Sequence, residues 1–404
     1  QIVKQNVREP NQVIGDIFAL CTCNDVGHRR LIEMMREFSL TNLEGVANFI
    51  LKKSRRATIE KIAVLPRKSA HGKMTIDGYH NPVTLKIKLK ILKNKIITDF
   101  KGTSSLDKKG INVPLVYTKA YTCYALKCAI APEIPNNAGS LEPFEVVAPE
   151  NSIVNAVHPA PVALRHVIGH MIPDTVYNAF DKIMPGVVPT EGAGTLCNFQ
   201  VSIRPRTDKI SSSIKNRAEI LTFNSGGSGA RPKIDGLNAT AFPSGVMTMP
   251  IEATEHTGPI IIWRKELRPD SGGAGEFRGG LGQFMEIGVC HGYEFDFQAM
   301  FDRVVYPARG RKGGLAGQPT TLKQDNGTKM QAKGKQFVPP ETKVMLAFPG
   351  GGGYGKPINR DKKLIFRDLA QGYISFDAAK DIYGLSEEEI WFVKSALKEG
   401  KLLL

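Results

Sequence analysis

His166 and His170 stand four residues apart, a spacing that sets two imidazoles on one face of a helix and can clamp a zinc ion. No Glu follows the first His, and the further ligand the pattern offers is His158, just before Pro159, so a hydrogen-bonded helix face competes with a metal pair. Polar chemistry also sits on five glycine- and asparagine-rich phrases. They are Ile134-Pro-Asn-Asn-Ala-Gly-Ser140, Ala148-Pro-Glu-Asn-Ser152, Ser225-Gly-Gly-Ser-Gly229, Asp270-Ser-Gly-Gly-Ala-Gly-Glu-Phe-Arg-Gly-Gly280 and Pro349-Gly-Gly-Gly-Gly-Tyr-Gly355. Glycine is costly inside regular elements and useful where backbone takes positive φ or approaches a neighbour closely, so these phrases describe shaped loops. On and around them, Asn136, Asn137, Asp235, Asp270, Ser271, Arg278, Asp302 and Arg303 are candidates to line a site. Asn holds a carbonyl or an amide in either sense, and Arg grips carboxylate or phosphate with two hydrogen bonds. The alternative is that Asn and Asp before Gly shape turns and that the Asp302-Arg303 pair ties a loop.

Several chemistries lack their residues. Neither Ser225–Gly229 nor Gly350–Gly355 carries the Lys-Ser/Thr ending of a phosphate loop, and no Gly-x-Ser-x-Gly elbow supports a serine triad. Cys21-Thr-Cys23 is too tight for a Cys-x-x-Cys site, and six cysteines in 404 residues fit reduced thiols rather than a disulfide framework. A net charge of +15 raises nucleic acid as a partner. From Leu51 to Lys101 there are fourteen Lys or Arg against three acids (Glu60, Asp77 and Asp99), an excess of 11 that accounts for most of the total. The aromatics of that window are Tyr79 and Phe100, too few for base-stacking platforms, so nucleic acid is disfavoured. Val83 to Ile91 alternates apolar residues with Thr or Lys, which describes a strand with one buried face and its lysines in water; contact with an acidic partner subunit is the alternative.

The elements that must position these residues read as a mixed α+β fold, with largely antiparallel sheets, glycine-rich loops and several helices. Helices are expected over Arg29–Phe38, from the Thr41-Asn-Leu-Glu44 capping box, over Leu115–Ile130, over Pro161–Met184 with a break or kink at Pro173, and after Pro357, where Gly384 stops one and Ser386-Glu-Glu-Glu389 caps the next. The strand at 83–91 turns at Lys93-Asn-Lys95 into a hairpin, and residues 195–350 read as mainly β. No apolar run approaches the ~18–20 residues of a membrane span, and Gln1-Ile-Val-Lys-Gln5 lacks the basic-then-apolar pattern of a secretory signal, so a cytoplasmic protein is expected.

Taken in order, ten phrases resemble the hydantoinase B / 5-oxoprolinase family. They are Gly15-Asp to Gly27-His-Arg-Arg-Leu31, Asp99-Phe-Lys-Gly-Thr103, Ile134 to Ser140, Ala148 to Ile153, His158-Pro-Ala-Pro-Val162, Asp235-Gly236, Asp270 to Gly282, Asp302-Arg303, Gly350 to Gly355 and Gly372-Tyr-Ile-Ser375. The resemblance covers essentially the whole chain and divides it into a B-type region at 1–358, with a sub-boundary near 131–150, and a helical tail at 359–404. It implies a B-type component of an ATP-dependent cyclic amide hydrolase that opens a hydantoin-like or 5-oxoproline-like ring after an A-type ATPase partner phosphorylates the substrate oxygen. The related alternatives are the alpha-type subunit of an ATP-dependent acetone or acetophenone carboxylase and a non-catalytic assembly subunit that docks through the basic window 51–101. ATP would be bound by the partner. The family's divalent metal (Zn, Mn or Fe) lies in phrases of the type Asn-Asp-Pro-Tyr, Gly-Gly-x-His and His-His-x-Asp in its N-terminal third. None of these occurs here, so the expected holder is a missing N-terminal segment or another chain, with His166 and His170 as the weaker candidates within this one. Asp270, Arg278 and Asp235 are the expected catalytic residues. Asn136, Asn137, Ser271, Asp302 and Arg303 are the expected substrate contacts.

Overall fold

The computed structural model describes residues 1–7, 10–206 and 217–399. The chain forms two compact units, one from Gln1–Thr58 with Ile134–Glu142 and one from Ile59–Glu133 with Pro143 onward.

The first unit is helical. It holds α1 (Ile2–Asn6), α2 (Pro10–Glu37) and the start of α3 (Glu44–Ala63). The helix expected over 29–38 is thus the last part of a much longer one. Gly15 and Gly27 sit inside α2 with open space around them, and helical hydrogen bonding carries the chain through both. Asn42 rather than Thr41 caps α3, its Oδ1 accepting from the Glu44 N–H at 3.0 Å. In this unit also lies the short helix α5 (Ala138–Leu141), which follows α4 of the second unit (Leu115–Ile130) in the chain. Asn137 caps α5 through a capping box with Ser140, and a side chain at Gly139 would overlap the Leu51 carbonyl, so the Asn-Asn-Ala-Gly phrase seats one helix against another.

In the second unit β1 (Ser69–Ile76), β2 (Val83–Ile91) and β3 (Ile96–Asp99) form an antiparallel meander, and β4 (Phe144–Val147) joins β3 in parallel. The period-two pattern of β2 works as expected: Val83, Leu85, Ile87, Leu89 and Ile91 are buried, and the intervening lysines are exposed. After the short helix α6 (His166–Gly169), the amphipathic helix α7 (Ile172–Ile183) covers β1 and β2. Pro173 lies in the first turn of α7, where its missing N–H costs nothing, so the expected break falls just ahead of it, between α6 and α7.

Two four-stranded antiparallel sheets follow. One has the order β11 (Lys333–Val338), β9 (Tyr293–Met300), β5 (Phe199–Pro205), β6 (Ala218–Thr222). The other runs β10 (Thr321–Gln324), β12 (Val344–Ala347), β8 (Gln283–Val289), β7 (Ile260–Leu267), with helix α8 (Ile251–His256) leading into β7. Their inward residues share one core, in which Phe199, Phe297, Phe301 and Phe348 interlock with ring centroids 5.0–6.5 Å apart. The tail helices α9 (Lys362–Ala370), α10 (Phe376–Asp381) and α11 (Glu387–Lys398) gather a second cluster around Ile365, Leu369, Tyr383 and Val393 that includes Ala274.

Between these parts the glycine phrases come together in a form that is neither helix nor sheet. A sheet strand has hydrogen-bonded neighbours on two sides, whereas segment 349–354 has them in four segments. The N–H groups of Gly350, Gly351, Gly352, Gly353 and Tyr354 donate in turn to the carbonyls of Gln318, Gly280, Glu191, Leu315 and Phe277, at 2.8–3.2 Å. Its carbonyls at Pro349, Gly351, Gly352 and Gly353 accept from Gly227, Gly273, Ala230 and Arg311. Backbones packed this closely leave no room for side chains, as at the axis of collagen. A β-carbon at Gly227 would overlap the Gly280 carbonyl, one at Gly350 that of Ser271, and one at Gly351 that of Ser228. Gly351→Ala is therefore expected to destabilise the chain by about 3 kcal/mol, the upper end of overpacking costs. Gly27→Ala, in open helix, should be neutral or stabilising by up to about 1 kcal/mol. Thermal denaturation of the two variants beside wild type measures the contrast.

Candidate functional site

Polar residues on the interlocked loops are clipped to one another. Asp235 accepts from the Arg278 backbone N–H at 2.8 Å and from both terminal nitrogens of Arg360 at 2.7 Å. Asp368 takes Arg278 Nε at 3.1 Å and Arg360 Nη2 at 2.7 Å. Burial works against the Asp235 carboxylate, but the hydrogen bonds and charge of Arg360 outweigh it and hold its pKa below the ordinary carboxylate value. A second network surrounds Arg303, whose guanidinium donates to the Ala193 and Gly192 carbonyls and to Glu191, with Asp174 at 3.6 Å. Glu191 also receives Arg309 and stays ionised below its ordinary range, because these cations outweigh its burial. Asp174, deeper and sharing Arg303, is pushed up by burial to about 7.

Each expected site residue has a clear place. Asp302 is buried against Lys333 at 2.9 Å. Asp270 accepts from the Ser375 N–H at the start of α10 and, with a φ of 57°, borders a cavity of about 100 Å³ with Gly272 and Tyr383. Ser271 bridges the Arg268 carbonyl and the Gly282 N–H. The structure therefore groups Asp235 with Arg278, keeps Asp302 and Arg303 in separate ion pairs, and places exposed Asn136 and helix-capping Asn137 in the first unit. Most of these charges already have internal partners, since the loops that carry them have little water to offer.

A ligand-sized space lies elsewhere in the second unit. A hollow of about 160 Å³ is walled by Pro189, Thr190, Leu237, Ala241 and Phe242, and one charged side chain, Arg231, lines it. Arg231 Nη2 donates to the Asp235 carbonyl at 3.0 Å, while its buried Nε has no hydrogen-bond partner among the described residues. The Phe242 ring lies 5.8 Å from Tyr124 of α4, and the row continues through Tyr121 to His170, 5.4 Å from Tyr121, and to His166. Burial lowers the His170 pKa to about 3 and lowers that of His166, so both rings are neutral at neutral pH. Burial also raises Tyr124 to about 12 and Tyr117 well above its ordinary value, so these phenols keep their protons. The row thus offers neutral imidazole acceptors beside phenol donors. Tyr117, Tyr121 and Tyr124 follow helical spacing in the sequence, a signal that could have tied them to the histidine pair; Arg231 and Phe242 carry no comparable one.

Among the described residues the His pair has no third His, Cys, Asp or Glu beside it. His166 Nε2 faces Asn198 Oδ1 at 3.4 Å, and no group of three or more His, Cys, Asp or Glu converges on a metal-sized space among the described residues.

Residues 1–357 match the model of the Hydantoinase B/oxoprolinase family, and the chain belongs to that family. It is 26% identical over 418 residues to the B subunit of a putative D-/L-hydantoinase of Pseudomonas sp. (strain NS671), covering 98% of this chain and 69% of that protein. The crystal structure of an ATP-dependent caprolactamase from Pseudomonas jessenii superposes with a TM-score of 0.80 at 21% identity, over 97% of this chain and 70% of the other. A nucleotide-free acetone carboxylase structure superposes with a TM-score of 0.71 at 15% identity, over 92% and 58%. At these identities the two structures establish the fold. Of 5-oxoprolinase PfmaA from Pestalotiopsis fici, 27% identical over 367 residues covering 85% of this chain, the chain spans 27% of the length.

Two outcomes test the site's physics. Arg360→Met takes one cation from the buried Asp368 and the half-buried Asp235, leaving them Arg278 and Arg367, and should cost about 1.5–3 kcal/mol in urea unfolding. His170, neutral when folded, gains its proton on unfolding below about pH 6.5. Its stabilisation is full above that pH and falls by about 1.4 kcal/mol per unit toward its folded value of about 3. Between pH 6 and 4, His170→Phe should therefore lose stability less steeply than wild type by about that slope.

Proposed function

We propose that this chain is the B-type part of an ATP-dependent cyclic amide hydrolase. The observation that carries the reading is the family match over residues 1–357, together with a relative named as part of a hydantoinase and a structural neighbour named as an ATP-dependent caprolactamase. In this reading an A-type partner transfers the γ-phosphoryl group of ATP to the ring carbonyl oxygen. Water then adds at that carbon, the ring C–N bond breaks as the nitrogen leaves with a proton, and a second water hydrolyses the resulting acyl phosphate, so that ring amide, ATP and two waters become ring-opened acid, ADP and phosphate. Phosphorylation activates a carbon that resists water in an ordinary amide, which removes the need for a nucleophilic triad.

The hollow beside Phe242 suits a small ring. Its apolar walls cover carbon, and the guanidinium of Arg231 that lines it pairs with a carboxylate or phosphoryl oxygen. Asp235, Arg278, Asp302 and Arg303 act in this reading as positioning residues that hold the loops around the hollow, with Asp270 and Ser271 fixing the loop end at α10. The family's divalent metal finds two imidazoles and no third donor among the described residues. Its ligands fall, in this reading, to a part of the family's length that this chain does not span or to another chain.

The test is reconstitution with an A-type ATPase partner, following ATP-dependent ring opening of hydantoin, 5-oxoproline and caprolactam. Arg231→Leu should raise KM roughly ten- to a hundred-fold, the worth of one charge-assisted pair, with a smaller effect on kcat. Bicarbonate-dependent consumption of acetone without ring opening would favour the carboxylase alternative. Full turnover by a complex lacking this chain would leave it an assembly subunit.

A further inference from the structure

The open face of the first sheet carries an excess of positive charge that Asp99, opposite Lys88 in the β2–β3 register, offsets only in part. In the antiparallel register Lys73 lies directly opposite Lys86, and His71 opposite Lys88. Like charges facing one another across strands destabilise a sheet, so this register costs stability unless an anion sits above it. Lys101, after β3, and Lys182, at the end of α7, close around the same place, leaving a hollow of about 590 Å³ with Asp99 as its one acid. Lys182 Nζ is fixed by the His71 carbonyl at 2.7 Å, and Asp99 accepts from the Lys101 backbone N–H. The ammonium groups of Lys73, Lys86, Lys88 and Lys101 have no ion-pair partner among the described residues.

The side chains around the hollow choose among anions. Lysine is depleted in the cores of protein interfaces, and no Phe, Tyr, Trp or exposed large apolar residue lines the hollow to anchor a partner protein or stack a base. Several mobile ammonium groups around one concavity are instead the chemistry of phosphoryl oxygens, which lysine meets as a point charge without the planar fork of arginine.

We propose that this hollow is a binding site for a compact phosphoryl polyanion carrying at least two negative groups, such as pyrophosphate or the phosphate chain of a nucleotide. The site is separate from the Arg231 hollow and stands or falls without the ring-opening reading.

Calorimetric titration of the full chain with pyrophosphate, tripolyphosphate and citrate, each at fixed ionic strength, tests it alongside thermal denaturation. Expected is submillimolar binding of pyrophosphate and tighter binding of tripolyphosphate. The triple variant K73A/K86A/K88A should weaken both at least ten-fold. Because the variant relieves the cross-strand repulsion, its Tm without ligand should equal or exceed that of wild type, while the Tm rise that pyrophosphate gives wild type should disappear. Equal pyrophosphate binding by wild type and variant, or no binding by wild type at millimolar ligand, would overturn the proposal. Citrate binding as tightly as pyrophosphate would overturn the phosphoryl assignment. Should the triple variant unfold, the single variant K86M, at an exposed position of β2, carries the same comparison.

Discussion

Direct backbone-to-backbone packing between glycines is the constraint on which the second unit depends. Segment 349–354 hydrogen bonds to four others, and each contact requires two chains to approach more closely than any side chain permits. The two sheets that share a core and helix α7 on the first sheet send segments into this interlock: Glu191 follows α7, Gly280 precedes β8, Gln318 precedes β10, and Pro349 follows β12. Where the interlock ends, charge takes over. Arg278 and Arg360 bind Asp235 and Asp368 on the side of the tail, and Arg303 and Arg309 bind Glu191 on the side of α7. These ions sit where backbone carbonyls already crowd, which lets Arg303 satisfy its donors on Gly192 and Ala193 as well as on an acid.

The fold class and much of the first sheet were legible because they rest on local patterns. The alternation of β2, the Leu115–Ile130 helix and the Ser386 capping box each follow from residues within one or two turns of one another. Helix α2 was only partly legible, since a propensity reading treats Gly15 and Gly27 as stops while each costs only about 1 kcal/mol in a helix that long. The candidate site was harder. Asp235 and Arg278 are 43 residues apart and meet Arg360 and Asp368 only through the tertiary fold, so their sequence neighbours suggested a pocket where the structure makes a clasp. Arg231 and Phe242 gave no signal, because a lone Arg and a lone Phe in a loop have no period and no motif.

The two hollows divide the chemistry of the second unit by polarity. The one beside Phe242 is small and mostly apolar with a single guanidinium, a shape that selects by fit to carbon. The one on the first sheet is wide and cationic, a shape that selects by charge. Helix α7 connects them structurally: its carboxyl end brings Lys182 to the lysines, and its buried face holds Asp174 against Arg303.

The interlock also sets an order of assembly. Its contacts join residues 191, 228, 280, 315 and 351, so none of them can form until loops of tens of residues have closed, whereas the hairpin of β2 and β3 and the helices close over short distances. A glycine segment has no side chain to hold a partly built contact and gains its hydrogen bonds only when the neighbouring segments are already in place. The β2–β3 hairpin and the helices can therefore form without this centre, whereas the centre, like the pairing of Phe199 with Ala299 between β5 and β9, waits on the closure of long stretches of chain.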